Sequence, residues 1–151
     1  MAATAVLDGW IALLKHAFGM PSRSWALVGR WVGHFRDGRF VHESIAKAAP
    51  VRHELALGWV FHYFVGALYG LLLVAIGGIE WARNPTLLPA LVVSLLMLAA
   101  PFFLMDPAMG GGFAASKSAN PTAARLRGLM NHTVFGAALY GAARLAALLL
   151  P

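Results

Sequence analysis

The sequence predicts an all-α polytopic membrane protein, a single integral membrane domain over residues 1–151 of four transmembrane helices with an interfacial amphipathic helix in the first loop. Three observations predict it. The composition is 60% hydrophobic and 12% charged, against roughly 45–50% and 25% in a soluble domain, so the chain lacks the side chains to clothe a core in water. Four apolar stretches each approach the ~20 residues that cross a hydrocarbon core of ~30 Å. The cations, finally, sort by loop. The absence of cysteine excludes disulfides, thiolate metal sites and cysteine nucleophiles.

The first stretch, Ala2 to Met20, is interrupted by Asp8, Lys15 and His16. A signal peptide carries its positive charge before the apolar run. Here the charge comes late and Phe18-Gly19-Met20-Pro21 follows, so a retained helix is expected, ended by Pro21 and Ser22. From Ser24 to Phe35, Trp25, Val28, Trp31, Val32 and Phe35 recur at helical spacing with Arg23, Arg30 and His34 between them. That alternation predicts a helix lying in the interface, too short and too charged to span. Asp37-Gly38-Arg39 marks a turn, Glu43 to Ala49 can hold a helical turn or two, and Pro50 resets the chain.

Leu57 to Ile79 and Thr86 to Met105 contain no full charge and are rich in Leu, Val, Ala and Phe, which makes them the clearest spans. Trp59 and Trp81 bracket the former as interfacial anchors, Asn84-Pro85 supplies a tight connection, and Pro101 is expected to kink the latter near its end. Asp106 is expected to end that helix and open a turn. The segment Asp106 to Thr122, with Gly110-Gly111-Gly112 and Asn120-Pro121, has no apolar period and reads as irregular or partly re-entrant. Gly128 to Leu150 forms the fourth span, with Arg144 able to snorkel.

Lys15, Arg23, Arg30, Arg36, Arg39, Lys47 and Arg52 surround the first loop and Lys117, Arg125 and Arg127 the third; Arg83 and Arg144 remain for the other side. This asymmetry places loops one and three in the cytoplasm and both termini outside. The net charge of +6 is then topology, with a bilayer of anionic headgroups as the expected partner and no nucleic acid.

Spans two and four share a phrase, His62-Tyr-Phe-Val-Gly66-Ala-Leu-Tyr69-Gly70 and His132-Thr-Val-Phe-Gly136-Ala-Ala-Leu-Tyr140-Gly141. The echo suggests a parallel duplication of a helix–loop–helix unit, against the alternative that such residues are common in membrane helices. Both histidines would lie at a depth of roughly 6–8 Å, at ~1.5 Å per residue, with Gly66 and Gly136 one turn deeper. Gly66, Gly70, Gly136 and Gly141 are the expected helix-packing positions.

His62 and His132 can be read in three ways. They suit a protonatable pair in a transport path with Asn131 beside them. As axial ligands of a b-type haem they would have Arg52, Arg125 and Arg127 at the same end for the propionates. As structural residues, each would hydrogen-bond a neighbouring helix. Asp8 costs ~2.5–3.5 kcal/mol at the centre of a lipid-facing helix and is expected to face the bundle, either as an ion or substrate site or as a cap. Two patterns are set aside. Gly111 to Ser118 nearly spells a phosphate-binding loop, but Ser116 stands in place of the second glycine and no strand precedes it. His34, Asp37, His42, Glu43, His53 and Glu54 lack the i,i+4 histidine pair of a preformed metal site and are expected to be a solvated, membrane-facing loop.

Ser24-Trp-Ala-Leu-Val-Gly-Arg30-Trp-Val-Gly-His34, Ala49-Pro50-Val51 with Gly58-Trp59 and His62-Tyr63, Pro85-Thr-Leu-Leu-Pro89, Gly112-Phe-Ala-Ala-Ser116 with Asn120-Pro121, and Asn131-His132-Thr-Val-Phe-Gly136 follow one another in a specific order over nearly the whole chain. In these motifs the chain resembles an uncharacterised bacterial inner-membrane family of about four spans. The resemblance implies a polytopic inner-membrane protein and carries no activity, cofactor or catalytic residue. The family pattern runs further upstream of Asp8-Gly9-Trp10, so the first span is expected to be short here.

The leading expectation is a non-enzymatic component handling a small solute or proton at Asp8, His62, His132 and Asn131, in a homo-oligomer or with a partner subunit. A haem b electron-transfer subunit using His62 and His132, and a structural or assembly subunit, are the alternatives. A reporter fused after Pro151 should report an outside location; cytoplasmic activity would reverse the topology.

Overall fold

The computed structural model describes residues 1–149, so Leu150, the last residue of the expected fourth span, lies outside the described residues. The chain is all-helical, with no strand among the described residues. Its helices are α1 (Ala2–Phe18), α2 (Trp25–Gly33), α3 (Glu54–Arg83), α4 (Leu87–Ala108) and α5 (Pro121–Leu149). Short 3-10 turns cover His34–Asp37, Ile45–Lys47 and Phe113–Ala115.

Three of these, α3, α4 and α5, are long and apolar enough to cross a membrane. Only 11–17% of their most apolar windows is buried inside the protein. Leu71, Ile76, Leu88, Leu96, Leu145 and Leu148 point outward while Thr4, Ser94 and Asp106 are buried. That inversion suits an apolar surrounding and not water. The 17 residues of α1 amount to about 26 Å, short of a ~30 Å core.

α1 ends earlier than Pro21. Gly19 takes the left-handed conformation (φ 63°) and its N–H donates to the Lys15 carbonyl while that of Met20 donates to Leu14. This closes the helix as a glycine cap does, with Lys15 and His16 in the last turn where cations favour the dipole. α3 breaks at Gly78, whose φ of 73° and ψ of 178° belong to glycine. Beyond that break Trp81 is not the interfacial anchor the sequence suggested. It is 8% exposed, lies over Gly77 and donates from Nε1 to the Thr86 carbonyl at 3.2 Å, so the break returns its ring to the core.

In α4 the irregularity expected at Pro101 is a π-helical stretch, Ala100–Met105. Proline has no N–H to donate and its ring crowds the carbonyl four residues back, which the wider turn relieves. α5 begins at Pro121, seven residues before the expected Gly128. The Asn120 side chain accepts the N–H of Ala123 at 3.0 Å and Pro121 occupies the first helical position, an N-cap written in the sequence.

The chain divides into two compact units. The first comprises Met1–Ser22, Val65–Leu98 and the chain from Gly128. Ala3, Leu73, Trp81, Ala90, Val93, Phe135 and Leu139 form its core. Helices approach closely at two glycines of the repeated phrase. A methyl on Gly66 would strike the Thr4 hydroxyl of α1, and one on Gly136 would lie 3.1 Å from the Ala90 carbonyl and Leu91 Cα of α4. Gly66 of α3 thus admits α1, and Gly136 of α5 admits α4. Gly70 only touches Leu139, and nothing lies near Gly141. Ser94, fully buried, donates to the His132 carbonyl at 2.6 Å, and Tyr69 donates to the Met97 carbonyl at 3.3 Å.

The second unit comprises Arg23–Phe64 and Ala99–Arg127. Here α2 lies against the first turns of α3, with Gly29 facing the Glu54 carbonyl and Gly58 facing that of Trp25. A side chain at either position would collide with backbone, which cannot yield as a flexible side chain can.

Gly136→Val should therefore lose about 1–3 kcal/mol through overpacking, whereas Gly141→Ala should be neutral or gain up to about 1 kcal/mol of helix propensity. Thermal unfolding in detergent compares them; equal midpoints would refute the close approach.

Candidate functional site

The residues expected to carry function occupy both units. In the first, Asp8 is half-buried on α1, one turn from the buried Thr4 and on the same face. Asn131 and His132 lie on α5. The His132 Nδ1–H donates to the Gly128 carbonyl at 3.0 Å, so the basic lone pair resides on Nε2. Beside it, the Asn131 Oδ1 is buried with no hydrogen-bond partner; so are the Thr4 hydroxyl and the Trp10 indole N–H.

In the second unit His62 stacks on Trp25 of α2 with ring centroids 4.0 Å apart and a 30° interplanar angle. The Trp59 and Tyr63 rings approach it edge-on at 5.8 and 5.5 Å. Trp25 and Trp59 lie 5.6 Å apart, so one imidazole is held among three aromatic rings.

Two groups in this unit escaped the sequence reading. Spacing puts Arg30 on the polar face of an interfacial helix, yet its side chain is 14% exposed and turned inward. Nε and Nη2 donate to the two carboxylate oxygens of Glu54, both at 2.9 Å, and Nη1 donates toward the carbonyls of Ile45, Ala46 and Ala48 at 3.4, 3.3 and 3.1 Å. Glu54 also accepts the Val51 N–H at 3.3 Å. The fork geometry of guanidinium suits this bidentate grip, and its remaining donors serve a turn whose carbonyls have no ladder to join.

His34 and His42 are likewise not part of a solvated loop. They are 4% and 6% exposed, and His34 Nδ1 lies 2.8 Å from His42 Nε2 in a hydrogen bond between two imidazoles. Burial first, then the nearby His34 and Arg39, hold the His42 pKa below the ordinary histidine value. The His42 backbone N–H donates to the Ala108 carbonyl at 2.8 Å and that of Ile45 to Met109 at 3.0 Å, which fastens the loop to the end of α4. Two sequence-distant carbonyls hold the loop in this place, and no local pattern encodes the burial.

Asp106, expected to open a turn, is a buried partner for Arg23, whose Nη2 donates to Oδ1 at 2.8 Å; Oδ2 has no partner. Gly111 N–H donates to the Asp106 carbonyl at 2.7 Å. The glycine-rich segment that follows turns through Gly110 and Gly112 and carries Ala114 and Ala115 at positive φ, 47° and 58°. Arg125 Nε donates to the Ala114 carbonyl at 3.0 Å and holds one of these strained residues in place. Among the described residues no three His, Asp or Glu side chains gather as metal ligands.

Glu54→Gln and Arg30→Lys should each cost about 1.5–3 kcal/mol, the range for hydrogen bonds to charged groups. Their double variant should cost less than the sum by about 0.5–3 kcal/mol. Additive losses in denaturation of the purified protein would show that the two side chains do not act as a pair.

No curated protein and no solved structure matches the chain. Over residues 1–146 it matches the family described as protein of unknown function DUF2938, and the chain belongs to that family.

Proposed function

We propose that this chain is a non-enzymatic integral protein of the bacterial inner membrane that moves a proton or a small polar solute. It crosses four times with both termini outside, and its basic loops lie on the anionic cytoplasmic surface. The observation that carries the reading is the Asn131 amide oxygen, buried and unsatisfied beside His132 in an apolar helix. Such an oxygen can only accept, and a partner from outside the chain, a water or the N–H or O–H of a solute, would relieve its desolvation. The His132 imidazole, anchored through Nδ1 to the Gly128 carbonyl, supplies a ring that can take up and release a proton. Asp8, with the unsatisfied Thr4 hydroxyl one turn away, supplies a second polar position, and His62 a third, its ring held by Trp25. A bundle of this size leaves little room for a pathway, so a homo-oligomer or a partner membrane subunit completes it.

Protein reconstituted in vesicles with an enclosed pH dye should dissipate an imposed proton gradient. His132→Ala, Asn131→Leu and Asp8→Asn should each slow that flux about tenfold, equivalent to ~1.4 kcal/mol of barrier. Flux equal to that of wild type in all three variants would remove these residues from the path. An absorption spectrum of the same preparation decides the haem b alternative: a Soret band lost in His62→Ala and His132→Ala would replace the present reading.

A further inference from the structure

The second unit contains an open cleft of about 490 Å³ between Arg39 and Ala48 that plays no part in the reading above. Its lining is chemically mixed: the cations Arg39 and Lys47, the carboxylate Glu43, the Ser44 hydroxyl and the His42 imidazole, with Val41 at the edge. We propose that this cleft binds the phosphate of a lipid headgroup that also carries a primary ammonium.

The cleft is held in shape from several sides. The His42 and Ile45 N–H groups donate to the Ala108 and Met109 carbonyls, Arg30 Nη1 gathers the carbonyls of Ile45, Ala46 and Ala48, and Trp31 Nε1 donates to the Phe40 carbonyl at 2.8 Å. A preformed cleft lowers the ordering cost of binding.

His42 points to an acceptor. It is 6% exposed, its Nε2 is engaged with His34, and its Nδ1 makes no close hydrogen bond, the nearby Ala108 carbonyl offsetting only part of the lowered pKa. When His34 Nδ1–H donates to His42 Nε2, the proton of neutral His42 resides on Nδ1, a donor in want of an oxygen. With Arg39 and Lys47 on the same cleft, that oxygen suits a phosphate, which accepts charge-assisted hydrogen bonds from several donors at once. Arg39 is also close enough to disfavour a positive charge on His42, a repulsion that an anion between them would reverse.

Glu43 selects among phosphates. Beside a headgroup of net negative charge its carboxylate would be repelled; a primary ammonium on the same headgroup pairs with it. Val41, on the lining, is 73% exposed, an apolar side chain available to the glycerol and acyl chains of a lipid whose headgroup sits in the cleft; Phe40, next in the chain, is 56% exposed. The proposal rests on the membrane reading for the source of the phosphate and not on solute or proton movement.

The test is calorimetric titration of the purified protein in detergent with dihexanoyl phosphatidylethanolamine, the matching phosphatidylcholine and phosphatidylglycerol, and inorganic phosphate. Phosphatidylethanolamine should bind saturably and more tightly than the other three. Arg39→Gln combined with Lys47→Gln should weaken it by at least about tenfold, and Glu43→Gln should erase its advantage over phosphatidylglycerol. These three side chains are exposed, so the variants should fold. Equal binding of all three lipids, or binding of inorganic phosphate alone, would overturn the proposal. Proton flux in the vesicle assay should be unchanged in the same variants, which separates failure here from failure of the transport reading.

Discussion

Arg30 carries five donors and no acceptor on a helix of nine residues, and the second unit is organised by where those donors go. Three side-chain nitrogens reach a carboxylate 24 residues on and three carbonyls of the intervening loop. An isolated helix of nine residues is marginal. α2 keeps its place because Arg30 and the contact of Gly29 with the Glu54 carbonyl join it to the start of α3. The two constraints reinforce each other. The glycine brings the backbones near enough for the guanidinium to span both carboxylate oxygens, and the ion pair opposes their separation. Glu54 completes the arrangement by also accepting the Val51 N–H ahead of the first turn of α3.

Close approach serves the first unit by a related device with a different energy source. Helices in an apolar surrounding gain little from burying more apolar surface, so they associate through contact and interhelical hydrogen bonds. Gly66 against Thr4 and Gly136 against Ala90 supply the contact, and Ser94 to the His132 carbonyl supplies a hydrogen bond. That bond also borders the candidate site. The backbone at His132 is held by α4 while its ring is held by its own helix, so the imidazole has little freedom to reorient. Polar atoms left unsatisfied nearby in the chain, above all the Asn131 amide oxygen, stand out against this economy.

Much of the helical layout was legible because it depends on local composition. Apolar runs without charge marked α3 and α4, Pro101 marked the irregular stretch in α4, and the turn at Asn84-Pro85 separates the two. The start of α5 was missed at Gly128: Asn120-Pro121, read as part of an irregular loop, is a cap followed by a first-turn proline, and it outweighs the polar composition of the turns before Gly128. Less was legible wherever a polar side chain has two options. Arg30 and His34 fit the outer face of an amphipathic helix by spacing alone, and Asp106 fits a turn. Their burial follows from partners 8 to 83 positions away, His42, Glu54 and Arg23, whose approach no periodicity records.

By itself, the sequence determined that this chain is helical, apolar on the outside and basic in its loops, since hydropathy, turn chemistry and charge act residue by residue. The tertiary structure alone decided which polar groups pair, which stay unsatisfied, and that residues 39–48 close around a cleft. Those outcomes depend on chain segments brought together from 8 to 83 positions apart, and a buried hydrogen bond needs both partners in place within ångströms. Composition sets the surrounding a segment prefers; only the packed chain sets its neighbours.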